Sequence, residues 1–475
     1  MTFQLADAEQ ALTTARNHIN LRWYPRFHLA PQAGWMNDPN GLVWFDGWYH
    51  AFYQHHPYST QWGPMHWGHA RSRDLMHWEH LPVALAPEGP EDKDGCFSGS
   101  AVVNGDELAL IYTGHKFHGD PTDDDNLYQV QCLATSRDGI HFTRHGKVLD
   151  TPPGMHHFRD PKVWREGDSW YMVVGSREDD TGQVRLYRSA DLHHWDDAGV
   201  LGEASKEMGF MWECPDFFTL QDKQVLIISP QGIAARGYDN RNLFQSGYIV
   251  GQWQPGEAFT QEHVFAELDH GHDFYAPQTF TAPDGRRILL AWMNSWESVM
   301  PEQQDGWAGM LTLPRELNLT ADHRLQMKPV KEVENLRQTW QRWAVTSLKN
   351  QQQCVMENAE ATEVLLQWDT AASDAEQYGI ALSDGLRLYV DNQSQRLVLE
   401  RHYPQSGLCG QRSVPLPAAS VLSLRLFFDR SSIEVFVNDG EACLTSRIFP
   451  QHRQLSLFAW SGSAHITECG AWDLA

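Results

Sequence analysis

The chain has 475 residues, a formal net charge of −24 and hydrophobic residues at 41% of its positions. So acidic a chain is repelled by nucleic acid and by anionic membrane surfaces, and we expect neither as a partner. No run of apolar residues approaches the roughly 20 that a transmembrane helix needs, so we expect no membrane span.

The first predicted element is a short amphipathic helix over residues 5–19, within an N-terminal segment 1–25. This segment lacks the basic start and apolar core of a secretory signal, so we expect a cytoplasmic protein. The seven cysteines are scattered and form no CxxC pair, which favours reduced thiols over a disulfide framework.

From about residue 34 to 320, apolar alternation and turn dipeptides predict β-strands. In the clearest unit, residues 42–45 pair with residues 48–53 across the turn Asp46-Gly47. The arrangement recurs four more times, at intervals of 53 to 63 residues. Its anchor residues are, in chain order, Asp38, Ser98, Asp160, Glu213 and Ala276. Five such units predict a five-bladed β-propeller over residues 26–325.

Residues 326–350 are polar and helix-tolerant, and we interpret them as a linker. Between residues 351 and 475, strand-like runs and turn signals such as Asn438-Asp439-Gly440 predict a β-sandwich. The predicted fold is therefore all-β, a five-bladed β-propeller followed by a C-terminal β-sandwich. We expect the second domain to stabilise the protein or to form a homo-oligomer contact, and the oligomeric state stays open.

Three of the five anchors are acidic: Asp38, Asp160 and Glu213. The first strand of each blade lines the propeller axis, so corresponding positions of different blades converge at one end of it. A proline follows each acid within two residues and is expected to mark the start of its strand. Like charges held together are unfavourable and persist mainly where chemistry needs them. Cleavage of a glycosidic bond uses such a set, one carboxylate attacking and another donating a proton.

The local sequence around each acid assigns three roles. Asp38 lies in a tightly turned run that suits a rigid nucleophile, and Glu213 has the longer side chain that suits a general acid/base. Asp160 follows Arg159, so we expect it to stay ionised and to stabilise the transition state. We also expect the sulfur of Cys214 to help exclude water from Glu213.

Three sequence boxes resemble those of the invertase family, glycoside hydrolase family 32. They are Trp-Met-Asn-Asp-Pro-Asn-Gly at 35–41, Phe-Arg-Asp-Pro at 158–161 and Trp-Glu-Cys-Pro-Asp at 212–216. The resemblance runs from His28 to the C-terminal strands and is greatest to bacterial cytoplasmic sucrose and sucrose-6-phosphate hydrolases. It implies a propeller with a β-sandwich and a retaining mechanism through a fructosyl-enzyme intermediate. Asp38, Asp160 and Glu213 match the nucleophile, the transition-state stabiliser and the acid/base.

The same resemblance implies a sugar-binding site made of Trp35, Met36, Asn37, Gln54, Trp62, Phe97, Ser98, Arg159, Tyr275 and Trp292. It implies no cofactor and no metal. The 24 histidines show no HExxH pattern, and we expect none of them to bind a metal ion.

We therefore predict a retaining β-fructofuranosidase that hydrolyses sucrose, sucrose 6-phosphate or both in sucrose catabolism. The alternatives are a fructan hydrolase or fructosyltransferase and a non-catalytic sugar-binding protein. Lys116, Arg177 and Arg236 are the candidates for a phosphate site, and the sequence does not decide among the substrates. Retention predicts carboxyl groups of Asp38 and Glu213 about 5–5.5 Å apart.

Overall fold

The computed structural model describes residues 3–475, so residues 1 and 2 of the predicted N-terminal segment lie outside the described residues. Helix α1 (Leu5–Ala15) confirms the predicted helix but ends four residues earlier than expected. Its buried Ala8 and Leu12 pack against Val83 of the first blade. Among the described helices, none has the length and apolar character to cross a membrane.

The first 22 strands form five separate sheets, which are the five blades of a propeller. Blade 1 contains β1 (Gly34–Phe45), β2 (Trp48–His56), β3 (His66–Ser72) and β4 (Trp78–Leu85). Blade 2 contains β5 (Gly95–Asn104), β6 (Glu107–Phe117), β7 (Leu127–Ser136) and β8 (Thr143–Leu149). Blade 3 contains β9 (His157–Glu166), β10 (Ser169–Glu178), β11 (Thr181–Ser189) and β12 (Asp196–Glu203).

Blade 4 contains β13 (Met211–Leu220), β14 (Lys223–Gln231), β15 (Gly247–Gln252), β16 (Thr260–Gln261) and β17 (Ala266–Glu267). Blade 5 contains β18 (Tyr275–Thr281), β19 (Arg287–Trp292), β21 (Arg315–Leu319) and β22 (Leu325–Pro329). A 3₁₀ helix (Pro301–Asp305) precedes β20 (Trp307–Ala308), which returns to blade 1 and pairs in parallel with β1. The predicted five-bladed propeller is confirmed.

The innermost strand of every blade has a β-bulge close to its start. The bulges lie between Met36 and Pro39, Phe97 and Gly99, Arg159 and Lys162, Glu213 and Asp216, and Tyr275 and Gln278. A bulge leaves a residue without a ladder partner and redirects the neighbouring side chains. The prediction that the prolines mark strand starts was wrong, because they lie at bulges, where no ladder N–H is required.

The three acids do not occupy one equivalent position of the repeat. Asp160, Cys214 and Ala276 share a left-handed backbone directly before a proline, with φ of 69°, 47° and 52°. Glu213 lies one residue earlier and corresponds to Tyr275 of blade 5. The predicted alignment of the five anchors was therefore wrong by one residue at Glu213, which aligns with Tyr275 and not with Ala276. The sequence does not show the bulges that set this alignment.

Residues 326–350, which we interpreted as a linker, contain regular structure. They hold most of β22, a 3₁₀ helix (Lys331–Leu336), β23 (Arg337–Arg342) and the start of β24 (Ser347–Met356). Strand β22 pairs with β21 and completes blade 5, with Leu325 and Met327 buried. The alternation of Leu325 and Met327 with polar Gln326 and Lys328 is typical of a strand.

The C-terminal domain is one continuous sheet of eleven strands, from β23 to β33. The others are β25 (Thr362–Asp369), β26 (Gln377–Leu382), β27 (Leu386–Asp391), β28 (Arg396–Tyr403), β29 (Leu408–Pro415), β30 (Val421–Asp429), β31 (Ser432–Val437), β32 (Ala442–Arg447) and β33 (Leu455–Leu474). A 3₁₀ helix (Pro404–Ser406) links β28 to β29. The first part of β33 pairs with β26 and its second part with β25, and both halves share one apolar core.

Fully buried ion pairs join the two domains. His28 contacts Asp429 at 2.7 Å and Glu434 at 2.5 Å, and Arg315 contacts Glu434 at 2.9 Å. A buried charge without its partner costs several kcal/mol, so these contacts hold only when both domains are in place.

Candidate active site

A cavity of about 500 Å³ lies at the bulged end of the innermost strands, within the usual size of small-molecule sites. Nine of the thirteen predicted site residues line it: Asn37, Asp38, Gln54, Trp62, Phe97, Ser98, Arg159, Asp160 and Glu213. The bulges explain this convergence, because they turn side chains from blades 1, 2, 3 and 4 towards one space.

The other four predicted residues, Trp35, Met36, Tyr275 and Trp292, are buried and are not part of the cavity lining. Two of these four residues donate hydrogen bonds to residues that do line the cavity. The Trp35 indole N–H donates to Oδ1 of Asn37 at 2.7 Å, and the Tyr275 hydroxyl donates to Oε1 of Glu213 at 2.6 Å. These side chains position the lining groups from behind.

Asp38 is a half-buried carboxylate that accepts three hydrogen bonds. The donors are the Asn37 amide at 3.0 Å, the Ser98 hydroxyl at 2.6 Å and the Cys214 thiol at 3.4 Å. Burial raises the pKa of Asp38 to about 6, although the donors from Ser98 and Asn37 oppose the shift. The carboxylate is thus rigidly held and ionised at neutral pH.

Asp160 accepts the backbone N–H of Cys214 at 2.9 Å and lies 3.5 Å from the thiol of the same residue. Burial and the nearby Glu213 raise the pKa of Asp160, although Arg159 opposes the shift. We expected Arg159 to pair with Asp160 and keep it ionised, but the guanidinium contacts Glu213 instead.

Glu213 is held on both oxygens by four contacts. Oε1 accepts from the Tyr275 hydroxyl at 2.6 Å and from the Gln231 amide at 3.0 Å. Oε2 accepts from Nε of Arg159 at 3.1 Å and lies 3.0 Å from Nη2. The thiol of Cys214 makes its hydrogen bonds to Asp38 and Asp160, and its expected role in excluding water from Glu213 stays a prediction.

Among the described residues, Asp38, Asp160 and Cys214 offer ligand atoms that all lie within 4.8 Å of one another. A cysteine binds metal ions as a thiolate. Burial, with the neighbouring Asp160, raises the pKa of the Cys214 thiol well above 9, so the sulfur keeps its proton. This trio is better suited to hydrogen bonding than to holding an ion.

Eleven lining residues were not among the predicted site residues: His115, Phe117, Asp124, Leu127, Gln129, His157, Arg177, Phe210, Gln231, Phe244 and Trp296. Of the three candidate phosphate ligands, Arg177 lines the cavity and Lys116 and Arg236 do not. Trp62 and Trp296 stay 42% and 37% exposed at the rim, where aromatic faces can stack on a sugar.

Comparisons with known proteins agree with this geometry. Residues 28–329 match the family described as "Glycosyl hydrolases family 32 N-terminal domain", and residues 332–473 match "Glycosyl hydrolases family 32 C terminal". The chain is 54% identical to a "Sucrose-6-phosphate hydrolase" of Escherichia coli over 99% of both chains. It is also 54% identical to a "Raffinose invertase" of Escherichia coli over 100% of both chains.

A solved structure with a similar fold is the GH32 beta-fructofuranosidase of Bombyx mori. It has a TM-score of 0.87 and 38% identity to this chain, over 99% of this chain and 97% of the other. A mutant of the Bombyx mori enzyme is known in complex with sucrose, again with a TM-score of 0.87, 37% identity and the same two coverages of 99% and 97%.

Proposed function

The chain belongs to glycoside hydrolase family 32, and from this premise we propose that it is a retaining β-fructofuranosidase of sucrose catabolism. It would release the terminal β-D-fructofuranosyl group of sucrose-type sugars. The observation that carries the proposal is the convergence of Asp38, Asp160 and Glu213 on one cavity. The names of the similar proteins, which include a hydrolase and two invertase-type enzymes, support the same substrate class.

In the first step, the carboxylate of Asp38 attacks C2 of the fructosyl group. Glu213 donates a proton to the glycosidic oxygen as the C2–O bond breaks, so the glucosyl part leaves as an alcohol. In the second step, Glu213 takes a proton from water, whose oxygen attacks C2 and releases Asp38. Two displacements at one carbon retain its configuration.

The donors around each carboxylate support this division of roles. Asp38 is fixed by Asn37 and Ser98 and is ionised at neutral pH, as a nucleophile requires. Glu213 contacts the hydroxyl of Tyr275 and the guanidinium of Arg159, groups that can hold either its acid or its base form in place.

Asp160 lies near both other acids and would stabilise positive charge at C2. Its carboxylate is buried, where an electrostatic interaction is stronger than in water. The backbone N–H of Cys214 fixes one of its oxygens at 2.9 Å, so the carboxylate would act without moving. A non-catalytic sugar-binding protein has no need of these three acids together.

The proposal is tested with Asp38→Asn, an isosteric change at the nucleophile. We expect kcat for sucrose to fall by roughly 10⁴-fold or more, with the thermal midpoint of unfolding close to that of the parent. Asp138→Asn, at an exposed turn of blade 2, is the matched control and should keep full activity. Activity of Asp38→Asn above a tenth of the parent value would reject the mechanism.

A further inference from the structure

We infer that this site selects electrically neutral fructosides and discriminates against a sugar that carries a phosphate dianion. The inference rests on the proposed function and narrows its substrate class. It depends on the charges and the free hydrogen-bond donors of the cavity wall, taken group by group.

Carboxyl groups outnumber cations in the lining of the cavity. The cations are Arg159 and Arg177, and the carboxyl groups are Asp38, Asp124, Asp160 and Glu213. Two further carboxylates, Asp125 and Asp180, contact Arg177 from the rim. A phosphate dianion that entered this cavity would meet an excess of its own charge.

Arg159 has only one N–H, on Nη2, left for a phosphate, because its other four are engaged. Its Nε and Nη2 contact Oε2 of Glu213 at 3.1 and 3.0 Å. Its Nη1 donates to Oε1 of Gln129 at 3.2 Å and to Nδ1 of His157 at 2.9 Å. Bidentate capture of a phosphate would have to take this guanidinium from the proposed acid/base, with direct cost to the reaction.

The charge of Arg177 is partly compensated by groups in the turn that follows its strand. Its Nη2 contacts the Asp180 carboxylate at 2.7 Å, its Nε donates to the carbonyl of Asp179 at 2.9 Å, and Nη1 lies 3.9 Å from Asp125. The guanidinium also lies over the ring of Phe210, 5.0 Å from its centroid. Its Nη1 keeps free N–H groups, but the carboxylates of Asp180 and Asp125 beside it would repel a phosphate that used them.

Two neutral imidazoles add uncharged donors to this wall. The Gln129 amide and the Arg159 guanidinium donate to Nδ1 of His115 and of His157, so each ring carries its proton on Nε2. Both Nε2 atoms are buried without a hydrogen-bond partner. Burial and the cation of Arg159 lower the pKa of both rings to about 3. Two uncharged N–H donors suit sugar hydroxyls.

The test compares kcat/KM for sucrose and sucrose 6-phosphate with the full-length protein at low and high ionic strength. We expect sucrose to be favoured at least about tenfold at low salt. Salt should lower KM for the phosphorylated sugar, because it screens a repulsion, and should leave KM for sucrose unchanged. Asp124→Asn should raise the ratio of the phosphorylated to the free sugar about threefold, whereas Asp138→Asn should not change it.

An equal or higher kcat/KM for sucrose 6-phosphate, or a KM for it that rises with salt, would overturn the inference and leave the proposed function intact. Failure to cleave either sugar would instead reject the proposed function.

A second variant tests the histidines: His157→Phe should raise KM for sucrose several-fold with kcat little changed. An unaltered KM would overturn the role given to this imidazole.

Discussion

The interface between the domains depends on a protonated histidine, so its stability should depend on pH. Both ring nitrogens of His28 contact carboxylates, those of Asp429 at 2.7 Å and Glu434 at 2.5 Å, which only the charged ring satisfies as a double donor. Burial alone would lower the pKa of His28, but Glu434 and Asp429 outweigh it and raise the pKa from 6.5 to about 9.

The folded protein therefore holds this proton more tightly than the unfolded chain does. The resulting stability is fully present below pH 6.5 and is lost as the pH rises through about 9. The gap between 6.5 and about 9 corresponds to about 3 kcal/mol of unfolding free energy.

The assay is urea unfolding followed by tryptophan fluorescence at a series of pH values between about 6 and 10. Other groups also titrate in this range, so the informative quantity is the difference between the parent protein and His28→Gln. This difference should shrink by about 3 kcal/mol as the pH rises. His141→Gln is the control, because His141 lies 2.7 Å from Asp138 but stays exposed. Parallel pH profiles for the parent and His28→Gln would refute the reasoning.

Three predictions concern the cavity. Tyr275→Phe removes a 2.6 Å hydrogen bond to Glu213 and should lower kcat/KM for sucrose about 10- to 100-fold in steady-state assays, and a loss below threefold would contradict its positioning role. Because the nucleophile Asp38 must be ionised and burial raises its pKa to about 6, kcat/KM should decline as the pH falls through about 6, and a profile flat down to pH 4 would contradict this. Cys214→Ala removes a thiol donor 3.4 Å from Asp38 and should move that acidic limb to higher pH, whereas Cys354→Ala at an exposed position should not, and an unmoved limb would reject the contact.

The propeller was predictable because each repeat contains sequence patterns that depend on neighbouring residues. Turn dipeptides such as Asp46-Gly47 and apolar alternation depend only on neighbouring residues, and they recur once in each blade. The register within the repeat was not predictable. A proline after an acid shows that one backbone N–H is missing from the hydrogen-bond ladder. It does not show whether the strand starts there or continues through a bulge. At Asp160, pairing with β10 on both sides shows that β9 continues.

One part of the candidate site was predictable from the sequence and another part was not. The predictable part consists of residues in short sequence motifs, such as Asp38 and Ser98. His115, Gln129 and His157 come instead from separate strands, and nothing in their neighbourhoods marks them. The partner of Arg159 was mispredicted for a related reason, since adjacency in the chain pointed to Asp160 and the bulge directs the guanidinium to Glu213.

Retention of configuration at C2 is the central claim, and trapping the fructosyl group with methanol tests it most directly. Free fructose loses its anomeric configuration in water, whereas a methyl fructoside keeps it. Incubation of the protein with sucrose and methanol, followed by NMR of the product, should give methyl β-D-fructofuranoside, because attack by Asp38 and then by methanol inverts C2 twice. Formation of the α anomer would mean a single displacement and would contradict the account.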